Sequence, residues 1–398
     1  MSAKRQVPPL PSPATRARTV APLIAAAADR IEADCEIPAE PLAALHEARL
    51  FRTLLPRSLG GDEAAPAEFV RMMETIATAD ASTAWCIGQI SGCSMASAYM
   101  EHGAARTIWG DANAAMAWGS GPQGRALKVP GGYRVTGRWD FASGSRGATW
   151  IGGHSRVIDT DGTMLRWESG PLQGDLVERS MIMPKSAVTM IRNWNPMGLR
   201  GTGSDSYEVA DLFVQDEFSV IRDHAPDRRE SGPLYRFVTN HIYASGFGAV
   251  ALGIARGALE AFADLAGTKT PQSSARMLRD SHHIQTQMAL ATAKLTAARS
   301  LLITTLGQVW ENVVAAGEMS LDERMRIRLA GSFATHQARE VMDFAYHEAG
   351  ATAIFPSQPF ERRFRDLNTV TQQIQARAAH FETVGAHLLG LGAPSRFL

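Results

Sequence analysis

The chain has 398 residues, 45% hydrophobic and 20% charged, ordinary for a globular protein and long enough for two or three packed units around a large core. Lys+Arg (40) balances Asp+Glu (40), so no net field draws it to nucleic acid or an anionic membrane, and no basic stripe with interleaved aromatics argues otherwise. The cysteines, Cys35, Cys86 and Cys93, form neither a paired framework nor a CxxC, as expected of reduced thiols in a cytoplasmic protein.

Residues 1–18, MSAKRQVPPLPSPATRAR, carry positive charge but no apolar signal core, and are expected to form a flexible, proline-punctuated tail. Over 19–113 the pattern is helical: VAPLIAAAADRIEADC repeats apolar residues at three-to-four spacing, and Pro38 fits the first turn of a second helix, PAEPLAALHEARLF. Leu59-Gly60-Gly61 is a turn, and Ala67 to Met100 predicts two further helices. Over 114–225 the period changes to two. LKVPGGYRVTGRWDF predicts a hairpin turning at Pro130-Gly131-Gly132, Asp159-Thr160-Asp161-Gly162 marks a second, and SYEVADLFVQDEFSV closes a small antiparallel β domain. Over 233–398 long Ala/Leu-rich amphipathic runs return, enough for an antiparallel four-helix bundle. Gly246-Phe247-Gly248 with Gly253 mimics a dinucleotide fingerprint, but these glycines lie inside a helical run and predict close helix packing instead. The longest apolar stretches, such as Tyr243 to Ile254, are too short and glycine-rich to span a bilayer. The fold class expected is mainly α with a central β domain.

Four segments, in order along nearly the whole chain, resemble the acyl-CoA dehydrogenase family. RIEADCEIPAEPLAALHEARLFRTLLPRSLGG is similar to its N-terminal entry, and GGYRVTGRWDFASG to the strand pair whose end faces the flavin. MGLRGTGSDSYEVADLFVQD resembles the strand that closes the β domain, and YHEAGATAIFPSQPFERRFRDLNTVTQQ the C-terminal element. The resemblance implies a helical–β–helical subunit, usually a homotetramer, with flavin between the β domain and the C-terminal bundle. It also implies that a neighbouring subunit's Tyr346-to-Ile354 loop, with His347, Glu348, Ala349 and Gly350, completes the flavin site.

Within that family the residues separate two chemistries. A dehydrogenase removes an α-proton while hydride passes to flavin, so it needs a positioned carboxylate. In most such relatives a Glu lies nine residues after the Arg of the RD pair, and here that position is Ile374. A minority place it on the first bundle helix, yet Pro233 to Leu259 contains no Asp or Glu. The branch of two-component flavin hydroxylases fits better. Those enzymes take reduced flavin (FMNH2 or FADH2) from a separate NAD(P)H:flavin reductase, form a C4a-hydroperoxide with molecular oxygen and transfer one oxygen atom. Their WxFASG motif is present as Trp139-Asp140-Phe141-Ala142-Ser143-Gly144. Their RD…TxxQH motif is present as Arg365-Asp366 through Gln372, with Gln373 in place of the final His. A second family His, eight residues beyond the Trp of Ser82-Thr83-Ala84-Trp85, is replaced by Cys93.

The resemblance puts Ser143 at the flavin edge, where its hydroxyl and the Ala142 and Ser143 amides reach the ring, with Phe141 beside it and Gln372 and Gln373 near the C-terminal end. Trp85 and Trp118 can border the flavin or simply fill the core. Gln373 can donate a hydrogen bond but cannot act as a base, whereas Cys93 is either a thiolate or an inert buried thiol. Arg200 and Ser204 either serve the site or fix a strand entry. His282-His283 lacks the i,i+4 spacing of helical zinc ligands and is assigned to the helix surface, so no metal site is expected. Glu361, Arg362, Arg363, Arg365 and Asp366 predict a structural or interface charge network. A monooxygenase of small aromatic or heteroaromatic substrates, of the indole type because both histidines are missing, is the leading expectation. An FAD-dependent acyl-CoA dehydrogenase or oxidase, and a non-catalytic flavoprotein scaffold, remain as alternatives.

Overall fold

The computed structural model describes residues 10–170, 172–272 and 274–392. The first helix, α1 (Pro13–Asp34), starts ahead of the expected Thr19. Ser12 caps it by accepting the Thr15 N–H at 3.3 Å, and Pro13 occupies the first turn, where its missing N–H leaves no bond unmade. The expected tail over 1–18 is therefore helical from Pro13; residues 1–9 lie outside the described residues. Helices α2 (Ala39–Glu47), α3 (Pro66–Ala79), α4 (Ala81–Ser94) and α5 (His102–Trp109) complete the N-terminal part. Asp80 alone separates α3 from α4. It is extended, and its buried carboxylate accepts the Thr83 N–H at 2.6 Å, ending one helix and capping the next.

Eight strands follow: β1 (Met116–Trp118), β2 (Gly124–Val129), β3 (Gly132–Ala142), β4 (Trp150–Ile158), β5 (Glu178–Pro184), β6 (Thr189–Ile191), β7 (Asp205–Gln215) and β8 (Ser219–Val220). They form one sheet in the order β6-β7-β3-β2-β4-β5-β8, with β1 beside β4. The β2–β3 hairpin turns at Pro130-Gly131 as expected, pairing Val129 with Gly132. The sheet is mixed, however, not antiparallel: β4 runs parallel to both β1 and β2. After β3 the chain turns at 143–149 and returns along the far side of β2, so β4 takes β2's direction. Alternation records which face each residue points to, not which way a strand runs. Trp139 is fully buried at the sheet's centre, stacked on Tyr207 (5.2 Å, 17°), and its Nε1 donates to His154 O at 2.7 Å. A Cβ on Gly124, Gly137 or Gly153 would fall within 3 Å of the Trp139 ring, so this indole accounts for three of the sheet's glycines.

The C-terminal part comprises α6 (Thr239–Ala266), α7 (His282–Ala316), α8 (Leu321–Ala349), α9 (Pro359–Thr371) and α10 (Ala379–Leu388). Helix α6 is long and apolar because it is the core helix: its most apolar window is 94% buried. Its glycines serve close packing, as expected. A Cβ at Gly248 would sit 3.0 Å from Gly331 O, and one at Gly253 would sit 2.6 Å from Glu74 O. The charged run at the start of α9 is structural. Arg365 pairs with Glu361 (2.7 Å) and Glu32 (2.8 Å), Arg362 with Asp29 (2.7 Å), and buried Asp366 accepts the Leu199 N–H at 2.6 Å. These contacts hold α9 and the 193–204 loop against α1.

Candidate active site

The WxFASG segment ends β3 in an irregular way. The register with β7 shifts between Trp139 and Ala142, and Phe141 adopts φ +65°, a strained conformation for a residue with a Cβ. Its ring is 59% exposed and stands at a cleft of about 450 Å³ lined by Asp140, Asn193, Trp194, Ser204 and Ser206, with Trp194 edge-on at 6.1 Å. Ser143 turns inward instead. Its amide donates to Phe141 O (2.9 Å), so that N–H is not available to a ligand as the resemblance suggested.

The Ser143 hydroxyl lies in a buried relay. Trp85 Nε1 donates to it at 3.1 Å, Ser204 Oγ lies 2.7 Å away, Thr202 Oγ1 lies 2.7 Å beyond Ser204, and Thr202 donates to Leu199 O at 2.8 Å. Each hydroxyl has one proton to donate. If Ser143 donates to Ser204, its oxygen only accepts from Trp85. With the Thr202 proton on Leu199 O, Ser204 donates to Thr202 and Ser143 to Ser204, so the Ser143 proton is held within the relay. If the Thr202 proton turns from Leu199 O to Ser204, Ser204 donates to Ser143 and the Ser143 proton is freed to point at a ligand, which brings in Ser204, whose role the sequence left open.

From Trp85 an aromatic wall runs along α6. Trp85 stacks on Phe247 (3.9 Å, 14°), and Phe247 on Tyr243 (5.4 Å, 5°). Tyr243 Oη lies 3.9 Å from Cys93 Sγ, and Trp118 lies against both. Burial pushes the Cys93 thiol well up, so it is a neutral thiol and the thiolate alternative falls away. His154 stands 4.9 Å from Trp118, its Nδ1 2.7 Å from Ser180 Oγ. Burial, then the nearby Arg222 charge, pushes its pKa well below the usual range, so it stays neutral and is a poor base. Tyr243, Phe247, His154 and Arg222 were not singled out from the sequence. The i,i+4 spacing of Tyr243 and Phe247 was a usable signal that two aromatics share one helix face.

Gln373 follows α9, and its carbonyl oxygen accepts the Gln375 N–H at 2.5 Å, which leaves its amide N–H groups to donate. Gln372 is exposed, and its amide reaches Thr371 Oγ1 at 3.3 Å. Neither shares a hydrogen bond with Ser143 or Cys93, so the structure joins Ser143 to Cys93 through Trp85, Phe247 and Tyr243 and sets Gln373 apart. The Tyr346-to-Ile354 loop is only partly a loop: α8 continues to Ala349, and the turn begins at Gly350, in a conformation open to glycine (φ 57°, ψ −145°). Lys269 Nζ donates to Ala349 O (2.6 Å) and Thr352 Oγ1 (2.8 Å). His347 Nδ1 lies 2.8 Å from Asp343 O, and Glu348 faces His283 at 3.2 Å across a cleft of about 350 Å³ that also carries Arg276.

The model of the acyl-CoA dehydrogenase N-terminal domain matches residues 14–106, and that of the C-terminal domain matches residues 245–378. The chain belongs to the acyl-CoA dehydrogenase superfamily. Indole-3-acetate monooxygenase of Pseudomonas putida is 29% identical over 347 residues, covering 86% of this chain and 84% of that protein. The oxygenase component of the FADH2-dependent resorcinol hydroxylase of Rhizobium sp. is 26% identical over 398 residues, covering 94% and 93%. The crystal structure of 3-HSA hydroxylase from Rhodococcus sp. RHA1 superposes with a TM-score of 0.88 at 26% identity, over 98% of this chain and 99% of that one. Within the superfamily the chain is a flavin-dependent monooxygenase, with reduced flavin and molecular oxygen as its cosubstrates.

The residues present fit a flavin. A planar ring has an exposed aromatic, Phe141, at an open cleft, a hydroxyl at Ser143 that the relay can turn into a donor, and an indole at Trp85 that holds that hydroxyl. In the cleft beside Glu348, Arg276 and His283 supply cationic or hydrogen-bonding groups suited to a phosphate.

Proposed function

We propose that the chain hydroxylates a small aromatic or heteroaromatic ring of the indole type, taking reduced flavin from a separate NAD(P)H:flavin reductase. The observation that carries this reading is the aromatic wall from Trp85 through Phe247 to Tyr243, hydrogen-bonded at one end to the Ser143 relay and closed at the other by a neutral thiol. Reduced flavin, when bound, supplies the activation of dioxygen. Ser143 would orient it by donating a hydrogen bond, Trp85 and Ser204 would hold Ser143, and the apolar wall would align the substrate ring and exclude water. Cys93 and His154 are both neutral and supply no strong base, which favours an electron-rich ring that reacts without prior deprotonation. Removal of an α-proton would instead need a carboxylate, and both family positions for one are apolar or neutral here. The indole-3-acetate relative acts on a substrate of the favoured class, and the name of the resorcinol hydroxylase, an oxygenase component, supports a second, reducing component.

Exposed Ile354 (59%) and Phe355 (54%) beside the end of α8 support a homotetramer in which this segment, with Gln372, lies near a neighbour's flavin. The oligomer would be cytoplasmic and free of membrane. The test is a single turnover: protein loaded anaerobically with reduced flavin is mixed with ¹⁸O₂ and an indole. One labelled atom in the product is expected. Complete conversion of the reduced flavin to hydrogen peroxide across indoles, phenols and thioethers overturns the reading. The purified protein with NADH and flavin should consume NADH only once a reductase is added.

A further inference from the structure

Arg222 follows the last strand, at the far end of the aromatic wall. Its guanidinium lies 5.0 Å from the centroid of the Trp118 ring, half-buried, and among the described residues it makes no hydrogen bond and has no carboxylate within 4 Å. The neighbouring carboxylate forms no direct pair with it: Asp223, held at φ +59°, accepts through Oδ1 from the backbone N–H (3.1 Å) and the hydroxyl (3.0 Å) of Thr239 at the start of α6. A guanidinium on an indole face is satisfied over one face only, and its in-plane N–H donors remain unpaired. Nearby lie Cys93, Tyr243 and His154, all uncharged, while Asp223 feels the Arg222 charge without contacting it. Arg222 is thus a cation without a direct ion pair where the wall that would carry the substrate ring ends.

We propose that Arg222 anchors a carboxylate carried on a short arm of the aromatic substrate, so that the enzyme selects aromatic acids over their neutral analogues. This rests on the monooxygenase reading for the ring chemistry, but the anchoring itself does not require turnover. A planar carboxylate can take two parallel N–H donors from the guanidinium, which fixes the ring's direction along the Tyr243–Phe247 wall as well as adding affinity. The cluster is closely packed: a Cβ on Gly92 would lie 2.3 Å from the Tyr243 ring.

The experiment measures kcat/KM and, separately, equilibrium binding of indole-3-acetate and indole-3-acetamide, two ligands of nearly equal shape that differ in charge. Wild type should prefer the acid at least tenfold in both measurements, and Arg222→Gln should reduce the acid-to-amide ratio by about 10- to 100-fold, the range for a hydrogen-bonded charged group. Arg222→Lys, which keeps the charge but not the fork, should retain part of the preference. Binding of the acid that depends on Arg222, without oxygenation, would sustain the anchor and sink only the oxygenase reading. Equal binding of acid and amide by wild type, no binding of the acid, or a ratio unchanged in a folded Arg222→Gln protein would overturn the anchor.

Discussion

Replacing Asp366 with Asn should make the protein less sensitive to alkaline conditions. The carboxylate is 3% exposed and accepts the Leu199 N–H at 2.6 Å. Burial, reinforced by the charges of Asp80 and Glu32 and opposed by the Leu199 N–H, raises its pKa from an ordinary 3.8 to about 7. The folded state thus holds this proton more tightly than the unfolded chain. Stability from this group is fullest below 3.8, declines as pH rises through the interval, and levels off above about 7. Integrated from pH 5 to pH 8, the loss is about 3 kcal/mol. For a chain of this length it amounts to a melting shift of roughly 3–4 °C. Asn keeps an oxygen for Leu199 but cannot ionise. Wild type and Asp366→Asn should therefore melt closest together below pH 3.8 and draw apart by roughly a further 3–4 °C between pH 5 and pH 8, the variant being the more stable. Asp366→Ala, which strands a buried N–H, should lose about 1–3 kcal/mol at every pH. Parallel pH profiles for wild type and Asp366→Asn would refute the reasoning, since they would mean that the folded carboxyl titrates as it does in the open chain.

Trp85→Phe keeps an aromatic ring on Phe247 but removes the donor to Ser143, and should raise the hydrogen peroxide released per reduced flavin several-fold while lowering stability by about 1 kcal/mol; unchanged coupling would remove the relay from the mechanism. Gln373→Ala should also uncouple, and Gln373→His should not improve turnover of the native substrate; a pH profile with one essential base near neutrality would contradict this, and His347 and His380 would then be the residues to substitute. Gly253→Ala places a Cβ 2.6 Å from Glu74 O and should destabilise by about 1–3 kcal/mol, whereas Gly103→Ala, facing open space on α5, should stay within about 0.5 kcal/mol of wild type in a denaturant melt.

Much of this protein was legible in its residues because the relevant signals are local. Helical periodicity, the Pro130-Gly131 turn and the WxFASG and RD motifs each depend on neighbours within a few positions, and they placed the helices, the hairpin and Ser143. The packing role of Gly248 and Gly253 was also readable, since no strand precedes them. Strand direction was not: β4 lies parallel to β2 because of where the 143–149 connection carries the chain, and alternation is blind to direction. The start of α1 was missed because Ser12 and Pro13 form a cap within a segment whose prolines resemble a tail. The site depended most on tertiary structure. Ser143, Ser204 and Thr202 form a relay only because β3 and the 199–204 loop converge. Arg222 gains its meaning from the lack of a direct ion pair, Asp223 being bonded to Thr239, and from the presence of Trp118, 104 positions earlier in the chain. Periodicity and motifs could show which residues turn inward; whether a buried hydroxyl is held or a cation left unpaired is settled only when distant segments meet, because both depend on what lies within a few ångströms in space.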